Sequence, residues 1–274
     1  MNYWHHIYQH FNPIAFHIFS IGVHWYGIMY VLALLTSLYM AKWIVQKDNI
    51  LITKDQLDNY FIYVEIGVIL GARLGYILIY DPSRDYYFHQ PWQIFNPFYH
   101  GKFVGISGMS YHGAIFGFLL ASWIYGKRAK ISFAKLMDIV AVAIPLGYTF
   151  GRIGNFLNQR LVGRVTDDSW GIYVHGVLRY PSQLYEACLE GIVVFIIVYL
   201  YRKHKSFEGE LILVYGFSYG ILRSIAGAYR APDVQIGYIC CHDITLGQIL
   251  SFSMAMLSLF VWIIIKLYRK KLKG

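Results

Sequence analysis

Charge is what this sequence has least of. Asp, Glu, Lys and Arg make up 14% of its 274 residues, where soluble domains carry about 25%. With 57% hydrophobic residues, that deficit excludes disorder and almost any water-soluble fold. Cysteine is scarcer still: Cys188, Cys240 and Cys241 are an odd count with an adjacent pair, which is no disulfide framework. Cys188 falls inside an apolar run and reads as packing. No Lys or Arg precedes Lys42, so the basic start of a cleaved leader is missing and none is expected. Long linkers, low-complexity tracts, acidic tails and internal repeats are absent. So are the metalloprotease, nucleophile-elbow, P-loop and dinucleotide motifs. No His, Asp or Glu set has ligand spacing, so no metal site is expected.

What the chain has instead is long apolar runs. Crossing hydrocarbon takes about 20 residues. Seven runs approach that length: 23–43, 60–80, 110–127, 134–151, 182–202, 209–229 and 244–268. The expectation is an all-α polytopic membrane protein, a single integral-membrane domain over residues 1–274 with seven transmembrane helices.

The formal net charge of +9 would suggest nucleic acid in a soluble protein. Here it follows the membrane. Fifteen of the 24 basic residues sit between runs one and two, three and four, five and six, and after run seven. By the positive-inside rule these are cytoplasmic, which puts the N-terminus outside and the C-terminus in the cytoplasm. Five acids accompany them, and the other nine basic residues face ten acids, so the excess is a topology signal. Outside, residues 8–20 and 86–104 mix aromatics, Pro and His. They read as amphipathic interfacial arms: either plain aromatic belts or the walls of an entrance from the membrane plane.

Glycines recur every fourth residue at Gly67–Gly71–Gly75, Gly113–Gly117, Gly147–Gly151 and Gly216–Gly220. Such small faces let helices approach closely in lipid, and packing is their reading. Ionisable groups inside spans point to function. By depth, Tyr26, Arg73, His112, Arg152, Asn155, Glu186, Glu190 and Arg223 share the outer leaflet. Away from the cytoplasmic side, every basic residue but Lys102 is arginine, among them Arg73, Arg152, Arg223 and Arg230. A guanidinium fork takes phosphate with two donors and is less strongly hydrated than an ammonium. The set reads as a phosphate or phospholipid site, or as ion pairs to Glu186, Glu190 and Asp233 that hold helices together. Outward-facing helix starts, with Pro181 at the first turn of run five, favour an anionic headgroup too. His112 is the best candidate base on this surface.

These residues resemble a known family, the bacterial prolipoprotein diacylglyceryl transferases. The most specific match is Gly151-Arg-Ile-Gly-Asn-Phe-Leu-Asn158, followed by Gly163-Arg164. His-Trp-Tyr-Gly at 24–27, Gly-Ala-Arg-Leu-Gly-Tyr at 71–76, Gly-Met-Ser-Tyr-His-Gly at 108–113 and Pro-Ser-Gln-Leu-Tyr-Glu at 181–186 support it. So do the stretch from Tyr215 to Asp233 and residues 244–250, and the matches keep their order over nearly the whole chain. The resemblance implies transfer of the diacylglyceryl group of phosphatidylglycerol to the lipobox cysteine of a prolipoprotein, forming a thioether and releasing glycerol phosphate. Its partners are phosphatidylglycerol and lipobox-bearing signal peptides, with no metal, organic cofactor or nucleic acid. It implies a bacterial inner (plasma) membrane location with the active site toward the outer leaflet. By position, Arg152 and Arg223 match the important arginines, His112 a functional histidine, Tyr26, Asn155 and Gly163 other functional positions, and Glu186 a motif carboxylate. The expected catalytic set is therefore His112, Arg152, Arg223 and Tyr26. The expected substrate-binding set is Arg152, Asn155, Asn158, Gly163, Arg73, Glu186 and Arg230.

Three positions depart from the family pattern: Arg160 and Gly227 where glutamate is usual, and Tyr180 where histidine is usual. They leave open a divergent paralogue that binds phospholipid or serves another acceptor. A seven-span channel or transporter has only the helix count and the buried charges in its favour, with no inverted repeat.

Overall fold

The computed structural model describes residues 2–19, 21–99, 102–103, 105, 108–232, 237–240 and 243–272. Asp233 and Cys241, named above, lie outside them. The chain forms helices α1 (Asn2–His5), α2 (Trp25–Lys47), α3 (Lys54–Ile79), α4 (Arg84–His89), α5 (Tyr111–Ala129), α6 (Phe133–Leu157) and α7 (Ser182–Glu186). A π-helical segment (Ala187–Val193) joins α7 to α8 (Val194–Tyr201), followed by α9 (Glu210–Ala226) and α10 (Leu246–Lys271). Among the described residues, five helices are long and apolar enough to cross a membrane: α2, α3, α6, the continuous run Ser182–His204, and α10.

The helices start where local chemistry says they should. Thr53 with Gln56 and Thr245 with Gln248 form capping boxes at α3 and α10, and Ser110 Oγ accepts from Gly113 N (3.1 Å) at α5. Pro181 sits one residue earlier than expected, at the cap of α7 rather than in its first turn.

The all-α expectation needs one correction. Among the described residues, four short antiparallel hairpins decorate the helices: β1 (Ile14–Ile18) with β2 (Ile21–His24), β3 (Phe98–Tyr99) with β4 (Lys102–Phe103), β5 (Ile172–Val174) with β6 (Val177–Arg179), and β7 (Tyr238–Cys240) with β8 (Ile244–Thr245). Open sheet edges are excluded from hydrocarbon, so such ribbons fit only the segments between spans. The two aromatic arms accordingly become hairpin β1–β2 and the stretch from α4 to β4, leaving Phe16, Ile18, Phe19, Phe88, Trp92 and Phe98 exposed.

The chain divides into two compact units, residues 50–136 and residues 1–49 with 137–274. In the smaller, α3 and α5 pack backbone to backbone. A Cβ on Gly71 would stand 2.8 Å from Gly117 Cα, and one on Gly75 2.7 Å from Gly113 Cα. Gly117→Leu is therefore expected to push the two helices apart and cost about 1–3 kcal/mol. A melting curve in detergent checks this; an unshifted transition would show that the contact is not tight.

In the larger unit, three acids fix helix ends, the buried Asp138 and Glu210 and the exposed Asp48. Asp138 accepts from the backbone N–H of Gly209 (2.8 Å), Leu211 (2.8 Å) and Ile212 (3.3 Å) and pairs with Lys205 Nζ (3.2 Å), so α6 caps α9. Glu210 takes Tyr201 Oη (2.6 Å), Trp262 Nε1 (2.9 Å) and Lys266 Nζ (2.9 Å), tying α9 to α8 and α10. Asp48 pairs with Arg202 (3.2 Å), joining the end of α2 to the 3-10 turn after α8. A separate core of Tyr8, Phe156, Ile172 and Val174 packs the N-terminal segment on the end of α6 and hairpin β5–β6. Cys188, expected to pack, is exposed instead, in the π segment.

Candidate functional site

The larger unit gathers five charged groups and a phenol in one place. Glu186, at the end of α7, is fully buried and lies between three arginines: Arg152 Nε at 3.1 Å, Arg223 Nη1 at 2.5 Å and Arg230 Nη1 at 3.4 Å. Glu190, one turn on in the π segment, takes Arg223 Nη1 at 3.1 Å. Tyr148 Oη donates to Glu190 and accepts from Arg152 Nε at 2.6 Å. The carboxylate side chains are 0% exposed, while Arg152, Arg223 and Arg230 keep 14%, 15% and 17%. A ligand therefore meets guanidinium and not carboxylate.

The surrounding sequence explains why these groups converge. Pro145 leaves the Ala141 carbonyl of α6 without its usual donor, and Thr149 Oγ1 folds back on the Pro145 carbonyl (3.3 Å). Gly191 then packs against Thr149 and Pro145, drawing the π segment onto the α6 face that carries Tyr148 and Arg152. On the far side, Gly163 threads between Tyr180 and Tyr229. Its N–H donates to the Tyr180 carbonyl (3.1 Å), and a Cβ there would stand 2.7 Å from the Tyr229 carbonyl oxygen. That close approach pairs Gly163 with Arg230 as a β-bridge and holds Arg230 beside Glu186. Arg164 braces the same loop, donating to the Arg230 carbonyl (3.1 Å) and pairing with Asp243 (3.3 Å).

Of the residues singled out from sequence, the structure thus brings Arg152, Glu186, Arg223 and Arg230 together, with Gly163 as the backbone that permits it. Asn158 and Tyr26 meet separately: the Tyr26 N–H, which has no intrahelical acceptor at the start of α2, donates to Asn158 Oδ1 (3.2 Å). Tyr26 is 44% exposed, and Gly154 packs against its ring. Asn155 is half-buried on the last turn of α6.

His112 and Arg73 belong to the smaller unit. His112 is exposed at the start of α5, its Nδ1 3.3 Å from Tyr80 Oη. Arg73 is buried at 6% exposure, and each of its three nitrogens donates within that unit, to the carbonyls of Ile94 (2.6 Å) and Gly108 (3.2 Å) and to Tyr87 Oη (3.4 Å). It pins the aromatic arm to α3.

The three departures also find places. Arg160 points to solvent, while its carbonyl accepts from the buried Gln183 (2.7 Å). Gly227 makes room for Gln248, whose Cδ would lie 3.1 Å from a Cβ there. Tyr180 joins Tyr185 and Tyr229 in an aromatic cluster. Tyr148 is not among the residues the sequence singles out, and Glu190 is there an outer-leaflet carboxylate and an ion-pair partner but a member of neither expected site set. The available signal was spacing: Tyr148 and Arg152, like Glu186 and Glu190, are four apart.

Three arginines against two carboxylates leave the cluster one positive charge. Arg152 Nη1 and Nη2, and Arg223 Nη2 and Nε, make no hydrogen bond to any described residue. Two partly open guanidinium forks on a buried carboxylate base suit one monoanionic group with several acceptor oxygens. Among the described residues, no three His, Cys, Asp or Glu side chains are grouped to hold a metal.

Comparison with known proteins bears on what that anion is. The family model described as Prolipoprotein diacylglyceryl transferase matches residues 13–264. Among similar proteins, one from Campylobacter hominis is 59% identical over 96% of this chain and 94% of its own length. One from Campylobacter jejuni is 60% identical, covering 97% and 98%, and one from Campylobacter lari 55%, covering 99% and 100%. Each carries the name phosphatidylglycerol--prolipoprotein diacylglyceryl transferase.

Proposed function

The chain belongs to the prolipoprotein diacylglyceryl transferase family, and from that premise we propose that the Arg152–Glu186–Arg223–Arg230 cluster is where it handles the lipid phosphate. The protein transfers the diacylglyceryl group of phosphatidylglycerol to the lipobox cysteine thiol of prolipoproteins. The sulfur forms a bond to the glycerol carbon as the bond from that carbon to the phosphate oxygen breaks, and the electron pair leaves with glycerol phosphate. A diester with one negative charge becomes a monoester with two, so charge grows on phosphate oxygen in the transition state. Donors fixed beforehand at that point lower the barrier. The observation that carries this reading is the pair of open forks over carboxylates that no ligand reaches. Arg152 and Arg223 act on the developing charge, Arg230 and Glu186 complete the frame, and Gly163 supplies the close approach. Tyr26, Asn155 and Asn158 line the substrate side of α2 and α6. Arg73 shapes the arm where lipid enters.

His112 is the group that takes the thiol proton in this reading. With Nδ1 on the Tyr80 hydroxyl, Nε2 is the nitrogen left for it. His112→Gln is expected to lower kcat by about 10², the size of general-base assistance. Steady-state lipidation of a lipobox peptide measures this, and unchanged kcat would remove His112 from the mechanism.

We read the chain as one seven-span domain in the bacterial inner membrane, with α5 and α9 completing the set at 19 and 17 residues. The N-terminus lies outside, the C-terminus in the cytoplasm, and the cluster faces the outer leaflet. Lysines 42, 47, 54, 127, 130, 135, 203, 205, 266, 270, 271 and 273 support that orientation, all lying at the ends assigned to the cytoplasm. The decisive experiment gives purified protein a lipobox peptide in phosphatidylglycerol micelles and weighs the product. One added diacylglyceryl group on cysteine supports the function, and an unmodified peptide from folded protein refutes it.

A further inference from the structure

Tyr148 stands at a junction that the reaction as described does not use. Its hydroxyl has one proton and two lone pairs, and both kinds of contact are made: it donates to Glu190 and accepts from Arg152 Nε at 2.6 Å. Glu190 in turn accepts from Arg223 Nη1 at 3.1 Å. The polarity is thereby fixed from both ends, because a carboxylate cannot donate and a guanidinium cannot accept. Glu186 does not substitute for this contact. Its Oε2 lies 3.1 Å from Arg152 Nε, but the angle makes no hydrogen bond and that oxygen has no hydrogen-bond partner. Among the described residues, the one hydrogen bond that orients the Arg152 plane therefore comes from the phenol. The phenol ring is itself held edge-on against Tyr219, which stacks on Tyr215.

We propose that Tyr148 is a positioning residue for Arg152: it grips the guanidinium by Nε, so that Nη1 and Nη2 stay open to the lipid phosphate. It also links Arg152 to Arg223 through Glu190, so the two forks turn together. Tyr148 and Arg152 lie one turn apart on α6, which makes the grip a property of a rigid helix rather than of a loop. The proposal rests on the reading that Arg152 meets the phosphate, and its test separates the two.

The test measures lipidation of a lipobox peptide by full-length protein, with phosphatidylglycerol and peptide varied independently. Tyr148→Phe is expected to lower kcat/KM for phosphatidylglycerol about tenfold, the size of one hydrogen bond to a charged group. The KM for peptide should stay within about twofold, since the phenol touches only the phosphate side of the reaction. In an Arg152→Lys background, which has no Nε–H to grip, the same change should cost nothing further. Unchanged kcat/KM for phosphatidylglycerol in Tyr148→Phe overturns the proposal, and so does an equal loss in the Arg152→Lys background. A full-activity Arg152→Lys protein would instead overturn the phosphate reading itself. Should Tyr148→Phe melt well below the parent, 3-fluorotyrosine at position 148 decides. It keeps the ring and hydroxyl but weakens the oxygen as an acceptor, so a partial loss confined to phosphatidylglycerol supports the grip and full activity overturns it.

Discussion

Arg152→Ala is expected to lower kcat/KM for transfer by about 10²–10³, roughly 3–4 kcal/mol of transition-state stabilisation. The argument is electrostatic. In the proposed reading, Arg152 offers two nitrogens to a phosphate whose charge rises as glycerol phosphate departs, from a site that is mostly out of water. Alanine removes both donors and the charge, while Glu186 still holds Arg223 (2.5 Å) and Arg230 (3.4 Å), so the cluster survives. The protein should insert and melt nearly as the parent does, with the loss confined to catalysis. Arg223→Ala is expected to lose as much activity and some stability besides, because Glu190 then keeps only Tyr148. Kinetics on membrane-inserted protein at equal amounts checks both. Near-normal turnover in Arg152→Ala would mean that the phosphate is held elsewhere.

The residues behind that prediction are legible in the sequence for a physical reason that other features lack. Arg152, Glu186 and Arg223 announced themselves because a charge in an apolar run is costly and rare. Depth counting placed them in one leaflet, and the structure shows them in contact. The tight faces were legible for the same kind of reason: Gly67, Gly71 and Gly75 against Gly113 and Gly117 follow a four-residue period, which survives folding. Gly151 shares the period, but a Cβ there would meet no neighbouring element within 4 Å, so spacing alone does not place a glycine.

What periodicity does not carry stayed hidden. Hairpins of two to five residues per strand, such as β5–β6, are too short to show a two-residue alternation. Tyr148 was one of 25 tyrosines, and nothing local distinguishes a phenol that bridges two charges from one that faces lipid. Asp138 lies in an apolar run like the site residues, yet its carboxylate caps α9, 71 to 74 positions later. Intramembrane charge signals a need for partners, and only tertiary contact tells whether the partner is a helix end or a ligand. Arg73 shows the same ambiguity, since its donors reach carbonyls 21 and 35 residues away.

Glu186→Ala is expected to be the most damaging single change in the cluster, and its damage should appear in stability as well as in transfer. Three guanidinium groups lie within 3.4 Å of one carboxylate that is 0% exposed. Without it, Arg152, Arg223 and Arg230 face one another with only Glu190 to balance them. Breaking a buried ion network from the acidic side leaves desolvated charge uncompensated, which costs about 3–5 kcal/mol. In a chain of this size that corresponds to a melting temperature lower by roughly 5–10 °C. Transfer should fall below detection even where protein survives, because the arginines lose the base that spaces them. Glu186→Gln separates the two effects. Its amide oxygen still accepts one N–H but carries no charge, so it should recover part of the lost stability while the three arginines remain mutually repelled. Melting curves and lipidation rates of the two variants, measured side by side in phosphatidylglycerol micelles, read this directly. If Glu186→Ala melts and turns over like the parent, Glu186 is not the keystone of the cluster, and the arginines are held by contacts other than the ones seen around it.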